Sequence, residues 1–351
     1  MAKRTGAETT IGIAIAPTFG TAVAAGDEGK SYANSITPNR NVTVLRSNPI
    51  GGGRHLDSND TQQGADDPTP QLVGDLHYND SKNLTLAQFF GGASSVAWGT
   101  AFCHSLYYVQ AANSWYTTLA AGVTSSEVME YPSVATRGMT LATSTFPGPL
   151  VATFDLIADQ RKITATTNTT ATLDAATVAD TKRIIVDQDD YFLINAQAGA
   201  GLTTSDKVSI TSCSISYQKG QAHVPEIKGS AGHSTPVMNG DPPLKVTLTV
   251  GLRTLADFTY FTAAAAGTAY KAELRIQGVE TTQAGVYYAA SFFFPYLKIL
   301  EDPAYSVSSA ADNPYTVVFE ALTTTSVPTG MLDIYPHVTL TNTRWRKYKN
   351  Y

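Results

Sequence analysis

The sequence predicts an all-β fold with minor α content, built as two β-sandwich or partial-barrel domains that each carry one short helix. Three observations lead there. Thr clusters at Thr164–Thr172 and Leu322–Val327 stand among many Val, Tyr and Phe residues, all of them types that suit a pleated, half-buried strand. Apolar residues alternate with others in Val42–Leu45, Val151–Leu156, Val208–Tyr217, Leu244–Val250 and Tyr315–Leu322, and a period of two is a strand signal. Charged residues make up only 15% of the 351, against about 25% in an ordinary soluble protein, so much of the surface need not face water.

Helical spacing is rare. Its best cases are Leu84–Phe90 and Leu255–Phe261, each opened near Asp, Asn or Thr, which are capping residues. These two segments belong to a repeat. Asp67-Pro68 followed by Gln71–Leu76 parallels Asp241-Pro242 followed by Lys245–Val250 at an offset of about 174, the helices follow at about 171, and Phe154 and Phe319 at about 165. Each half then reads strand, long excursion, strand, helix, strand, closing hairpin. The excursions are Ser47–Pro70, with Gly51, Gly52, Gly53 and Gly64, and Lys219–Pro243, with Gly229, Gly232 and Gly240; loops this long inside a compact domain are usually functional. The expected divisions are a first domain over 1–161, an inserted hairpin or connector over 162–206 containing Ile184–Val186 and Tyr191–Ile194, a second domain over 207–325 and a C-terminal arm over 326–351.

The formal net charge of −5 argues against an electrostatic nucleic-acid binder, which concentrates Lys and Arg against phosphates. Cys103 and Cys213 lie far apart, which suggests neither a disulfide framework nor a zinc site. The apolar stretch Ile11–Ala25 is broken by Gly12, Pro17 and Gly20, making it a poor signal peptide, and no window reaches the roughly 20 apolar residues of a membrane helix. A soluble protein made in the cytoplasm is expected.

The opening Glu8–Thr21, the segment Gly51–Arg54, Gly64 and Leu72–Leu76 before the first helix, with Tyr296–Ile299 and Tyr315–Glu320 later, together resemble the tail tube proteins of long-tailed bacteriophages. The likeness excludes 162–206 and the chain after Thr323. It implies a structural virion protein of the phage tail, assembled in the host cytoplasm, whose subunits close their inner sheets into a continuous barrel and whose rings stack into a conduit for DNA ejection. It implies further that the long loop of each half reaches a neighbouring ring or subunit, here through Gly51, Gly52, Gly53, Arg54 and Gly64, and by the repeat Gly229, Gly232 and Gly240. The expected partners are other copies of the chain, other tail proteins including tape measure and terminator, and passing DNA held without sequence-specific binding. Two tube-like domains per chain favour a trimer with pseudo-sixfold symmetry over a hexamer; either can close.

No catalytic constellation is found, and no cofactor or metal is expected. His55, His77, His104, His223, His233 and His337 are scattered without the spacing of metal ligands on a helix. His55 with Asp57 and Asp60 offers oxygen ligands for a hard cation but lacks an ordered loop pattern. Gly51–Arg54 lacks the Lys-Ser/Thr ending of a phosphate cradle. Asp66-Asp67 and Asp189-Asp190 read as turn residues, and Tyr107-Tyr108, Tyr287-Tyr288 and Phe292–Phe294 as packing rather than stacking platforms for bases or sugars. The basic, aromatic end with Arg344, Trp345, Arg346, Lys347 and Lys349 reads as a short arm that docks on an acidic neighbour. Another tail or head structural protein (terminator, baseplate, decoration) or a glycan-binding adhesive sandwich is the alternative.

Overall fold

The computed structural model describes residues 9–46, 61–110, 115–124, 126–143, 146–164, 166–178, 182–187, 189–224, 233–239, 244–252, 267–300, 304–305 and 315–344. The first half opens with β1 (Thr9–Ala16), β2 (Lys30–Ala33) and β3 (Ser35–Thr37), runs out through β4 (Arg40–Arg46) and back through β5 (Thr61–Pro68), and continues as β6 (Gln71–Asp75). Helix α1 (Lys82–Phe90) precedes the hairpin β7 (Gly91–Trp98) and β8 (Ala101–Tyr108), then β9 (Tyr116–Gly122), β10 (Val128–Thr143), β11 (Gly148–Pro149) and β12 (Val151–Ala158). After α2 (Thr170–Ala175) and β13 (Ile185–Val186) come β14 (Tyr191–Ala196), β15 (Lys207–Val208), β16 (Ile210–Lys219), β17 (Gln221–Ala222), β18 (Val237–Met238) and β19 (Leu244–Leu252). The chain finishes with β20 (Ala269–Glu280), β21 (Tyr287–Ile299), β22 (Ala304–Tyr305), β23 (Tyr315–Ala321) and β24 (His337–Asn342).

The fold is all-β with minor α, as the alternation and Thr content require. The strands pair antiparallel. In the first half β1 pairs with β2 and β9, β3 with β6, β6 with β12, β9 with β10, and β10 with β12. The second half repeats that order: β14 with β15 and β20, β16 with β19, β19 with β23, β20 with β21, and β21 with β23. The halves join where β10 pairs with β16 through Gly138–Thr143 and Cys213–Gln218, and again where β24 lies between β8 and β21. The described pairings branch without closing on themselves, so the described strands form an open sheet rather than a closed barrel.

One apolar core runs through both halves. Helix α1 sits in it wholly buried, with Phe89 and Phe90 edge-on to Tyr217 of β16 at centroid distances of 5.8 and 5.6 Å. The helix starts where the Asp80 carboxylate accepts the Lys82 N–H at 3.0 Å and stops at Gly91, whose φ of 81° is one that glycine adopts without cost. The second expected helix, Leu255–Phe261, lies outside the described residues.

Gln88 of α1 does the most particular work. Strand β10 changes register between Tyr131 and Val134 and between Thr136 and Gly138, and on one edge its pairing with β9 ends at Val134 while that with β16 begins only at Gly138. The Gln88 amide fills that gap: Nε2 donates to Val134 O at 2.8 Å, and Oε1 accepts from Thr136 N at 3.1 Å and Thr136 Oγ1 at 2.9 Å.

The stretch 162–206 divides between the halves. The buried Glu130 carboxylate accepts N–H groups from Thr167 (3.0 Å) and Asn168 (2.7 Å) and the Asn168 amide at 2.8 Å, and Leu173 of α2 packs with Ala25, Ala120 and Val128. A Cβ on Gly12 would lie 2.5 Å from Leu173 Cδ2, so β1 needs glycine there for α2 to seat. Strand β14, by contrast, pairs with β15 and β20 of the second half. Among the described residues no helix is long and apolar enough to cross a membrane.

Two stability predictions follow from buried polar groups. Gln88→Leu strands the Val134 carbonyl and the Thr136 N–H in the core, at about 1–3 kcal/mol each, so a loss of about 2–5 kcal/mol in urea unfolding is expected; a change under 1 kcal/mol would show that the bulges hold without the clamp. Lys219, at the end of β16, lies with its ammonium 4.9 Å from the Phe89 centroid and 5.4 Å from that of Tyr108, and burial pushes its pKa down to about 7. Below that value both folded and unfolded chains hold the proton and the charged group is buried at full cost. Between about 7 and the ordinary 10.5 only the unfolded chain holds it, so stability rises with pH. Lys219→Met should flatten that rise in melts recorded across the window, and an unaltered slope would place the charge in water.

Candidate functional site

The site is a surface rather than a pocket. Strands β3, β6, β12, β10, β16, β19 and β23 lie side by side in that order. Directly opposed residues share a face, so the registers resolve into rows that cross the sheet from one half of the chain into the other. On the buried face one row is Leu72, Phe154, Met139, Tyr217, Val246 and Ala321, and the next is Gly74, Ala152, Leu141, Ile215, Leu248 and Phe319.

The opposite face is partly open to solvent and its chemistry is different. Its rows are Val73, Thr153, Thr140, Ser216, Thr247 and Glu320, then Asp75, Val151, Ala142, Ser214, Thr249 and Val318. A third runs through Gln71, Asp155, Gly138, Gln218 and Lys245, with Gln71 Nε2 donating to Asp155 Oδ1 at 2.8 Å. Hydroxyls supply six of the twelve residues in the first two rows, three carboxylates stand among the three rows, and Lys245 is their one cation. Such a face hydrates well and gives a polyanion little to hold.

The two excursions leave this sheet as paired ribbons. Residues 61–68, read from the sequence as part of a loop, form β5 folded back on β4 from Arg40↔Pro68 to Arg46↔Thr61; Asp66 and Asp67 are therefore strand residues rather than turn residues. The composition of Thr61–Pro68 is poor for a strand, and its pairing with β4 overrides it. Gly64 falls at the register shift between Val42 and Val44, where glycine permits a bulge. The second excursion begins with β17 on β18. Gly51, Gly52, Gly53, Arg54, Gly229, Gly232 and Gly240 lie outside the described residues, as do His55, Asp57 and Asp60.

The bases of the ribbons meet. His223, following β17, has Nε2 3.7 Å from Asp67 Oδ1 of β5 and stacks on His233 with centroids 4.1 Å apart. Burial lowers the His223 pKa, the neighbouring His233 lowers it further, and Asp67 with the carbonyls of Ser234 and Ala158 opposes them. Sequence spacing gave no sign of this convergence, because the three residues come from two excursions in different halves.

Arg344, read as a terminal contact, is turned into the chain. Its guanidinium donates to Asn79 O at 2.6 Å and Glu28 O at 2.7 Å and pairs with the Glu28 carboxylate. Trp345, Arg346 and Lys347 lie outside the described residues. Cys103 and Cys213 are free thiols.

Comparison with protein families matches residues 6–321 to the family described as phage tail tube protein. Comparison with curated proteins finds no match.

Proposed function

We propose, from the premise that this chain belongs to the phage tail tube protein family, that it carries two tube domains and that three chains close one ring of the tube. The role is structural and its setting is the virion tail. The single observation that carries the ring count is the junction between β10 and β16. The six pairings of the first half recur in the second, so β16 corresponds to β3, and the segment β21–β22 corresponds to β10. At one end of the sheet β3 pairs with β6 alone among the described strands; at the other, β23 pairs with β21 and β22. An edge left open is an aggregation hazard. Pairing the β21–β22 edge of one chain with β3 of the next would repeat, between chains, the contact that already exists inside each chain, and a heterologous contact that closes makes a ring.

In that ring the hydroxyl face lines the lumen and the apolar rows form the wall behind it. DNA then passes over Thr, Ser and a few carboxylates without being gripped. The ribbons β4–β5 and β17–β18 extend to neighbouring chains or rings, rings stack, and the tape measure and terminator meet the tube inside and at its end. Assembly takes place in the host cytoplasm.

Two measurements test this. Ring particles weighed singly should have the mass of three 37.3 kDa chains; a mass of six chains would refute the duplicated-domain count. Thr140→Lys combined with Thr247→Lys should make assembled tubes retain duplex DNA, with log affinity falling against log salt by about 0.9 per phosphate neutralised, while unaltered tubes release it. Equal retention by both would place the hydroxyl face away from the DNA path.

A further inference from the structure

We propose that Asp67, His223 and His233 form a binding site for a divalent transition ion of the zinc class that clasps the bases of the two ribbons. One ligand atom from each of these residues lies within 4.8 Å of the others, and two imidazoles with one carboxylate suit zinc and its neighbours rather than calcium or magnesium, which prefer oxygen alone.

The hydrogen bonding of His223 points to a cation. Both of its nitrogens face oxygen: Nδ1 is 3.2 Å from Ser234 O, and Nε2 is 3.0 Å from Ala158 O and 3.7 Å from Asp67 Oδ1. A neutral imidazole has one N–H, so one nitrogen turns a lone pair toward oxygen unless a cation stands between them. With Nδ1–H donating to Ser234 O, the outer-shell bond typical of a ligating histidine, the Nε2 lone pair is directed at Asp67 and Ala158. The two Nε2 separations bracket the roughly 3.3 Å edge of a tetrahedron with bonds of about 2.0 Å. His233, whose ring lies stacked on that of His223 with centroids 4.1 Å apart, joins the set by turning its ring out of the stack, and the Ala158 carbonyl completes four ligands. Asp67 Oδ1 is shielded from water and accepts no hydrogen bond among the described residues.

The ion would tie β5 of the first half to the second excursion of the other half and to the end of β12, where His233 N also donates to Asp159 O at 3.1 Å. It would set the angle at which the two ribbons leave the sheet. This site does not depend on the tube reading, and its test is separate.

The test is calorimetric titration of the full chain, without a polyhistidine tag and stripped with EDTA, against Zn²⁺, with Co²⁺ absorption as a second readout of tetrahedral nitrogen and oxygen ligands. One ion per chain is expected, with affinity weakened at least roughly tenfold in His223→Ala, His233→Ala and Asp67→Asn, tenfold being the lower end for loss of even an outer-shell partner. His233→Ala keeps the backbone bond to Asp159, so an unchanged far-ultraviolet spectrum separates a lost ligand from a lost fold. Absence of saturable binding, which would mean that a proton on His223 serves as the cation, overturns the proposal. So does an ion whose affinity the three substitutions leave unchanged.

Discussion

The structure depends on one buried constraint: the backbone groups of β10 need partners where its ladder breaks. Strand β10 gives its first part to β9, its last part to β16 and its other edge to β12. No straight strand could do this, since β9 and β16 must succeed each other along one side while the residues facing the core stay in phase with both. The two register shifts supply the bend, and Gln88 bonds the Val134 C=O and Thr136 N–H in the gap between β9 and β16, where a dry interior offers no water to replace it. A single amide on the buried helix therefore licenses the bend, the bend admits β16, and β16 carries the second half.

The hydroxyl face accounts for the composition. Thr and Ser satisfy strand preference while presenting a face that is neither apolar nor strongly charged. A surface of Lys and Glu would solubilise a monomer equally well. On the far side of the same strands the side chains are mostly apolar, Phe154, Leu141, Ile215 and Val246 among them, because a period of two separates the faces residue by residue.

Much of this was legible in the sequence. The alternation in Val208–Tyr217 and Leu244–Val250 assigned the strands and which of their residues go inward, and the spacing in Leu84–Phe90 located α1. The matching segments around Leu72 and Val246 read as a repeat, and both become strands, β6 and β19. What could not be read is whatever long-range register decides. Thr61–Pro68 has the residues of a loop and becomes a strand only because β4 lies beside it. Arg344 looks like part of a basic tail until Glu28, from the opposite end of the chain, is brought against it. Asp67, His223 and His233 carry no motif in linear order, since their proximity is produced by two separate ribbons turning back on themselves.

Strand β24 has a consequence for synthesis. It lies between β8 of the first half and β21 of the second, so β8, made early, waits for a strand made late. Both edges are bare until the ribosome has passed Asn342, and a chain interrupted before His337 keeps two open edges. Until then both halves keep an edge open to other chains. Strand β24 thus covers one edge in each half at once.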